Sequence, residues 1–446
     1  MGSGLKDRSE HGILSIFVGA LGYFLGMAKL VSSTRSASLS SRVTGIVAKT
    51  AIDDIHTHLY DPAFGELLLW GIDDLLVYHY LVAEAFRYLQ VPYDQFWQLS
   101  KKQQAELIWQ ELFLAHSPIS EACRGVLTTL NALGLDVKKR DLAVLRRWFA
   151  QQRPEEHVDR VLDLAGVRSV CMTNSPFDAL ERPIWERGFP RHPRFKAALR
   201  IDPLLLDWPK SSRFLAECGY RVTQALSDRT LGEVRRFLDD WSQRMSAEFL
   251  MVSLPPNFTF PAKSKIARLI EGAVLPHCRE TGQPFALMPG VKRGVNPSLR
   301  MAGDGLGATQ LDGLAHLCAA FPKNKFAVTV LSRENQHEVC VLARKFRNLH
   351  LFGCWWFTNT PSLMEEMTRM RLELLGLSFT PQHSDARVAD QLIYKWRHTR
   401  EVVGEVLVDK YQDLAATGWS VTDAEIRRDV AGLFGGEFSR FCAMQL

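Results

Sequence analysis

The sequence predicts an α/β fold of the (β/α)8 TIM-barrel type, and three observations carry that expectation. From residue 50 onward, short β-rich apolar runs alternate with longer helical patterns; eight such runs can be counted; and the 446-residue chain exceeds the roughly 250 residues a barrel requires. The eight runs are Ala51–His56, Val167–Thr173, Phe195–Ile201, Glu248–Leu254, Pro284–Met288, Lys325–Leu331, Leu349–Trp355 and Leu377–Pro381. Between them, Ala262–Thr281, Gln310–Phe321, Glu334–Phe346 and Ser362–Leu375 repeat apolar residues at three and four spacing, the pattern of a helix that buries one face.

The surplus length falls into three places. Residues 1–50 form an N-terminal extension, residues 51–400 the barrel with a helical insertion at 59–166, and residues 401–446 a helical tail. The insertion is rich in Leu, Gln, Trp and charged residues and lacks a strand pattern, so it is expected as a helical layer over the barrel mouth. Its Trp70, Trp97 and Trp109 suit a cap on this chain's own site or on a neighbour's, which leaves a homo-oligomer open. In the tail, Val421-Thr422-Asp423 reads as a helix N-cap.

Within the extension, Ile13–Ala28 is a run of 16 residues that are apolar or small apart from Ser15. That is short of the roughly 18–20 residues of a spanning helix and close to a signal-peptide core. Lys6 and Arg8 ahead of it are offset by Asp7 and Glu10. Membrane contact is expected only if this run is retained, and a start at Met27 would remove it.

Composition narrows the function. With 46% hydrophobic and 23% charged residues the chain can bury a large core and is not intrinsically disordered. Its 54 basic and 49 acidic residues give a net charge of +5 without a dense Lys/Arg run, so a nucleic-acid partner is not expected. The eight cysteines form no CxxC pair, so they read as reduced thiols of a cytoplasmic protein.

Barrel active sites lie at the C-terminal ends of the strands. The first run ends Asp54-Ile55-His56-Thr57-His58, and alternation along a strand turns His56 and His58 to one face, where they can share a metal ion. The eighth run is followed by His383-Ser384-Asp385-Ala386-Arg387. Because the first and eighth strands adjoin in a closed barrel, Asp385 can add an oxygen ligand. Two imidazoles and one carboxylate leave positions open, as in a catalytic rather than a structural site.

At these residues the chain resembles the uronate isomerases, a branch of the amidohydrolase superfamily, over about residues 51–400. The resemblance rests on the His-x-His pair, Tyr78-His79-Tyr80, Arg200-Ile201-Asp202-Pro203, Gly290-Val291-Lys292-Arg293-Gly294-Val295-Asn296, Cys354-Trp355-Trp356-Phe357-Thr358-Asn359 and Ser384-Asp385-Ala386-Arg387. It implies interconversion of aldose and ketose hexuronates, glucuronate with fructuronate and galacturonate with tagaturonate, through an enediol. It further implies one divalent ion, zinc, on His56, His58 and Asp385, with Asp385, Tyr80 and His79 as the catalytic set. Arg200, Arg293 and Arg387 would bind the substrate carboxylate, for which the planar guanidinium fork is suited. Of Trp355 and Trp356, one is expected as an apolar wall for the sugar and the other as core.

Departures from the family pattern bear on the substrate. Tyr78 replaces an acidic residue, and Leu81, Val82 and Ala83 replace basic ones; Asn174 and Ser175 stand where two acids are usual; Met288 stands in place of a histidine, which disfavours a second metal. The competing expectations are a single-metal hydrolase of a carboxylated amide, lactone or ester, and a non-catalytic barrel. The first has no need of several arginines aimed at a carboxylate, and the second has no need of both histidines with Asp385.

Overall fold

A computed structural model describes residues 38–446. Seven parallel strands follow one another around a curled sheet in chain order: β1 Ile52–Thr57, β2 Val167–Asn174, β3 Phe195–Arg200, β4 Leu250–Leu254, β5 Phe285–Pro289, β6 Phe326–Val328 and β7 Leu349–Leu351. Helices connect them on the outside, as parallel pairing requires. The fold is the expected (β/α)8 barrel, with its eighth position built differently from the expectation.

Leu377–Pro381 is not a strand. Ser378 remains in the preceding turn, its N–H and hydroxyl both directed at the Leu375 carbonyl, and Pro381 has no N–H to donate, so only Thr380 pairs, against Phe352. The chain then crosses irregularly to β1, where Asp385 N–H donates to His56 O at 3.2 Å and His58 N–H to Ala386 O at 2.7 Å. Bonded to β7 on one side and β1 on the other, this segment occupies the eighth place. The sixth and seventh strands are also shorter than expected; after β7, Gly353 turns the chain at φ 71°.

The insertion is helical throughout and tied to the mouth: the Trp97 indole donates to Ser298 O, in the loop after β5, at 2.8 Å. Helical segments expected at Gln310–Phe321 and Ser362–Leu375 appear as Asp312–Ala320 and Pro361–Leu375. Ala262–Thr281 is broken by a wider turn at Ile270–Val274, just ahead of Pro276, which cannot donate to the helical ladder.

Residues 38–49 form a helix whose Leu39, Val43, Ile46 and Val47 are buried, so this part of the N-terminal extension is packed on the barrel. The apolar run Ile13–Ala28 lies outside the described residues. Among the described residues no helix is long and apolar enough to cross a membrane. The helix Gln391–Ala416 runs unbroken through residue 400. Beyond it, Thr422 and Glu425 form a reciprocal cap, and the helix Glu437–Ala443 seats Phe438 among Phe249, His350 and Phe352 at the N-terminal end of the barrel.

Candidate metal centre and its two cavities

β1 and the segment after Thr380 place four chemistry-bearing side chains together. The Nε2 atoms of His56 and His58 lie 3.3 and 3.2 Å from the same Asp385 oxygen, and the His383 ring centroid is 4.9 Å from that of His56. His56, His383 and Asp385 offer ligand atoms all within 4.8 Å of one another. The backbone is shaped for this: Asp385 sits at φ 53°, a left-handed conformation that Asp tolerates better than most residues. A Cβ on Gly353 would lie 1.7 Å from His383 Nδ1, so only glycine lets that ring in.

The donor set suits a divalent cation. Both ring nitrogens of His56, both of His383 and Asp385 Oδ1 are buried without a hydrogen-bond partner, an unfavourable arrangement unless a ligand completes it. Burial drives His58 and His383 well below the usual histidine range, keeping them neutral as ligation requires. Burial alone would raise the Asp385 carboxyl, but the facing His56 ring opposes it and the group is held well below the carboxylate range.

Two neighbours, Thr173 and Asp54, orient these groups. The Thr173 hydroxyl donates its single proton to Thr57 O at 2.8 Å, so at 3.1 Å from His58 Nδ1 it can only accept. That leaves His58 Nε2 as the lone-pair nitrogen facing Asp385. Asp54 is fully buried and accepts from Ser384 N–H at 3.1 Å and the Trp396 indole at 2.8 Å, clamping the segment that carries His383 and Asp385 to β1.

Two cavities flank the cluster. The larger, about 820 Å³, is lined by His58, Arg200, Arg293 and Arg387 together with Tyr60 and Glu181. The three arginines differ in what they already hold. Arg200 gives Nε and Nη2 to the two oxygens of Asp202, both at 2.9 Å, and Arg293 pairs with Asp304 at the exposed rim. Arg387 has no side-chain partner among the described residues. Glu181 is buried beside them, accepting from Tyr60 OH at 2.7 Å and from Asn174 Nδ2 and Ser175 N–H at 3.0 Å; it returns a carboxylate to the region where the strand end itself carries none.

The smaller cavity, about 260 Å³, is lined by His79, Tyr80, Trp356, Tyr394 and Lys395 among others. Here the Tyr80 hydroxyl and the Trp356 indole N–H are buried without partners. Burial raises the Tyr80 phenol well above its usual range and brings His79 down to about 3, so both are neutral. Trp356, at φ 47°, stacks on Phe357 as a cavity wall, and both Trp355 and Trp356 belong to the apolar cluster that contains Ile55 and Met288.

Sequence reasoning passed over His383, Asp54, Glu181 and Lys395. For His383 a signal existed, since it stands two residues from Asp385. For Lys395 the signal was a lone cation inside the apolar run Leu392-Ile393-Tyr394-Lys395-Trp396.

No protein-family profile and no curated protein matches the chain. Solved structures do. A uronate isomerase from Bacillus halodurans C-125 is 52% identical, with a TM-score of 0.91, the match covering 92% of this chain and 97% of that one. A uronate isomerase from Thermotoga maritima (16% identity, TM-score 0.72, 91% of this chain and 97% of that one) shares the fold. So does a glucuronate isomerase from Caulobacter crescentus (17%, TM-score 0.71, 91% and 94%).

Proposed function

The chain belongs to the uronate isomerase family, and from that premise we propose that it isomerises hexuronic acids between aldose and ketose forms, with glucuronate and galacturonate as substrates. The observation that carries this reading is the 52% identity, over 92% of the chain, to the Bacillus halodurans uronate isomerase.

His56, His58 and Asp385 would hold one divalent ion, zinc, with His383 in the same group. When bound, the ion supplies Lewis acidity that polarises the sugar carbonyl and adjacent hydroxyl, making the C2 proton acidic. Arg387, with no partner of its own, takes the substrate carboxylate through a forked pair of charge-assisted hydrogen bonds. Arg200, fixed by Asp202, supports it through its remaining donors, and Arg293 at the rim attracts the anion on approach. Fixing the carboxylate sets where C1 and C2 lie.

Isomerisation removes the C2 proton, delivers a proton to C1 and shifts a hydroxyl proton from O2 to O1. Asp385, ionised at neutral pH, is the acceptor, and Tyr80, a neutral phenol with an unengaged hydroxyl, is its partner in returning a proton. His79, neutral and packed edge-on against Tyr80 and Trp356, keeps the phenol in place.

Proton NMR in D2O tests the proposal, with the zinc-loaded protein and a panel of hexuronates. Loss of the C2 proton signal with growth of ketose resonances is expected for at least one. No exchange across the panel, with metal confirmed bound, would overturn it.

A further inference from the structure

The positive charges of the site are unequally compensated. Arg200 is neutralised by Asp202 and Arg293 by Asp304, which leaves Arg387 in the larger cavity. A second uncompensated cation stands on the other side, at Lys395. It is 3% exposed, comes from the helix Gln391–Ala416, and its ammonium makes no hydrogen bond or ion pair among the described residues. Its ammonium lies 5.5 Å from the ring centre of Tyr80 and 5.7 Å from that of Tyr394 and faces the smaller cavity.

What surrounds it is also one-sided. The Tyr80 hydroxyl and the Trp356 indole N–H, both buried and unpartnered, reach the same cavity. The acceptors nearby are committed: Glu121 to Arg124 and His398, and the Asn359 carbonyl to Gln382. Three unengaged donors, with the nearby carboxylate and amide oxygens already engaged, suit a ligand whose oxygen atoms bear negative charge. Burial pulls the Lys395 ammonium down to about 8 while Asp385 and Glu121 act in the opposite sense, so at neutral pH it is predominantly charged. A buried ammonium kept without a direct hydrogen-bond or ion-pair partner is costly to stability, which argues for a use in binding.

Resting on the hexuronate reading above, we propose that Lys395, with Tyr80 and Trp356, receives the negative charge that develops on the C1 and C2 oxygens in the enediol stage. One substrate then meets two unpaired cations: a permanent carboxylate at Arg387 and a transient oxyanion at Lys395. Charge that appears only along the reaction is stabilised by groups already in place, which lowers the barrier without tightening ground-state binding.

Lys395→Met tests this, because it removes the charge and keeps the apolar stem. Turnover is expected to fall at least 100-fold while KM stays within threefold, and the melting temperature to lie at or above that of the parent, since a buried unpaired charge has been deleted. Turnover within threefold of the parent, or a loss expressed in KM alone, would overturn the proposal. A binding measurement does not depend on turnover: oxalate, a planar dianion with vicinal oxygens, titrated into the metal-loaded protein. Lys395→Met should weaken oxalate at least tenfold and Arg387→Met should not; equal affinity in parent and Lys395→Met would overturn the assignment. If no hexuronate is converted while oxalate still distinguishes Lys395→Met, the substrate reading fails and the oxyanion site stands.

Discussion

At the N-terminal end of the barrel His350 is enclosed as fully as His56 and His383 are at the C-terminal end, yet the two sets of imidazoles are treated differently. His350 lies 3.0 Å from the Thr380 hydroxyl and packs on Phe441 at 5.1 Å, with Phe438 beside it. His56 and His383 have no hydrogen-bond partner on either ring nitrogen. The same contrast holds for cations. Lys325 at the lower end donates to the carbonyls of Cys442 and Met444, while Lys395 at the upper end has none to donate to. One end is closed by a helix, and the buried His350 and Lys325 there have partners; the other concentrates unsatisfied groups around two cavities. Burial alone therefore does not single out the histidines and lysine of the proposed site, whereas burial without any side-chain hydrogen-bond partner does.

If that division is right, changes at the upper end should remove activity and spare stability. The largest effect is expected for His58→Ala and Asp385→Asn: loss of bound metal by elemental analysis and of turnover below detection, with the cooperative unfolding transition retained. Full turnover by either variant would break the assignment of the centre. The converse change is Phe438→Ala, which empties a site lined by Phe249, His350 and Phe352. A cost of about 3–5 kcal/mol in denaturant unfolding is expected, with turnover by the folded fraction unchanged.

A finer division runs between the arginines. Arg387→Met should raise KM for the hexuronate about 10- to 100-fold, as loss of hydrogen bonds to a charged group worth about 1.5–3 kcal/mol would do. Arg200→Met additionally leaves Asp202 without its bidentate partner, so it should raise KM and lower stability together. An unchanged KM for both would remove the arginines from carboxylate binding.

Much of the upper end was legible because it obeys strand periodicity. His56 and His58 share a face by alternation, and Asp385 follows from the adjacency of the first and last strands. His383 joins Asp385 through the irregular segment after Thr380, with Asp385 at φ 53°, and not through strand alternation. What periodicity does not reach is a side chain delivered by a loop or by a helix buried all round. Glu181 arrives seven residues past the end of β2 through a turn, and Lys395 lies in a helix that is apolar on every side near its start, where no stripe marks an inward face. The apolar pattern of the eighth run does not register the missing N–H of Pro381, and in the helix at 38–49 three serines and one arginine match its four buried apolar positions in number, so no apolar stripe stands out. The lower end was the least legible: nothing in Phe438 itself announces that the C-terminal helix returns to the start of β4 and to β7.

The smallest effect expected is a pH dependence belonging to the lower end alone. Burial, reinforced by the charges of Arg440 and Arg371, pushes His350 down to about 3, against about 6.5 in an unfolded chain. The unfolded state therefore binds the proton first as pH falls. The stability associated with neutral His350 is complete above about pH 6.5 and is lost progressively toward pH 3, by at most about 1.4 kcal/mol per pH unit. Denaturant unfolding at pH 7 and pH 5 should show a decline in the parent that is shallower by about 2 kcal/mol in His350→Gln, which cannot take up the proton. Because His350 has its hydroxyl partner and no vacancy beside it, that difference should be the same with and without added zinc. A difference that changes with zinc would couple the two ends and undo the division; parallel declines in parent and variant would show that His350 is protonated as readily folded as unfolded.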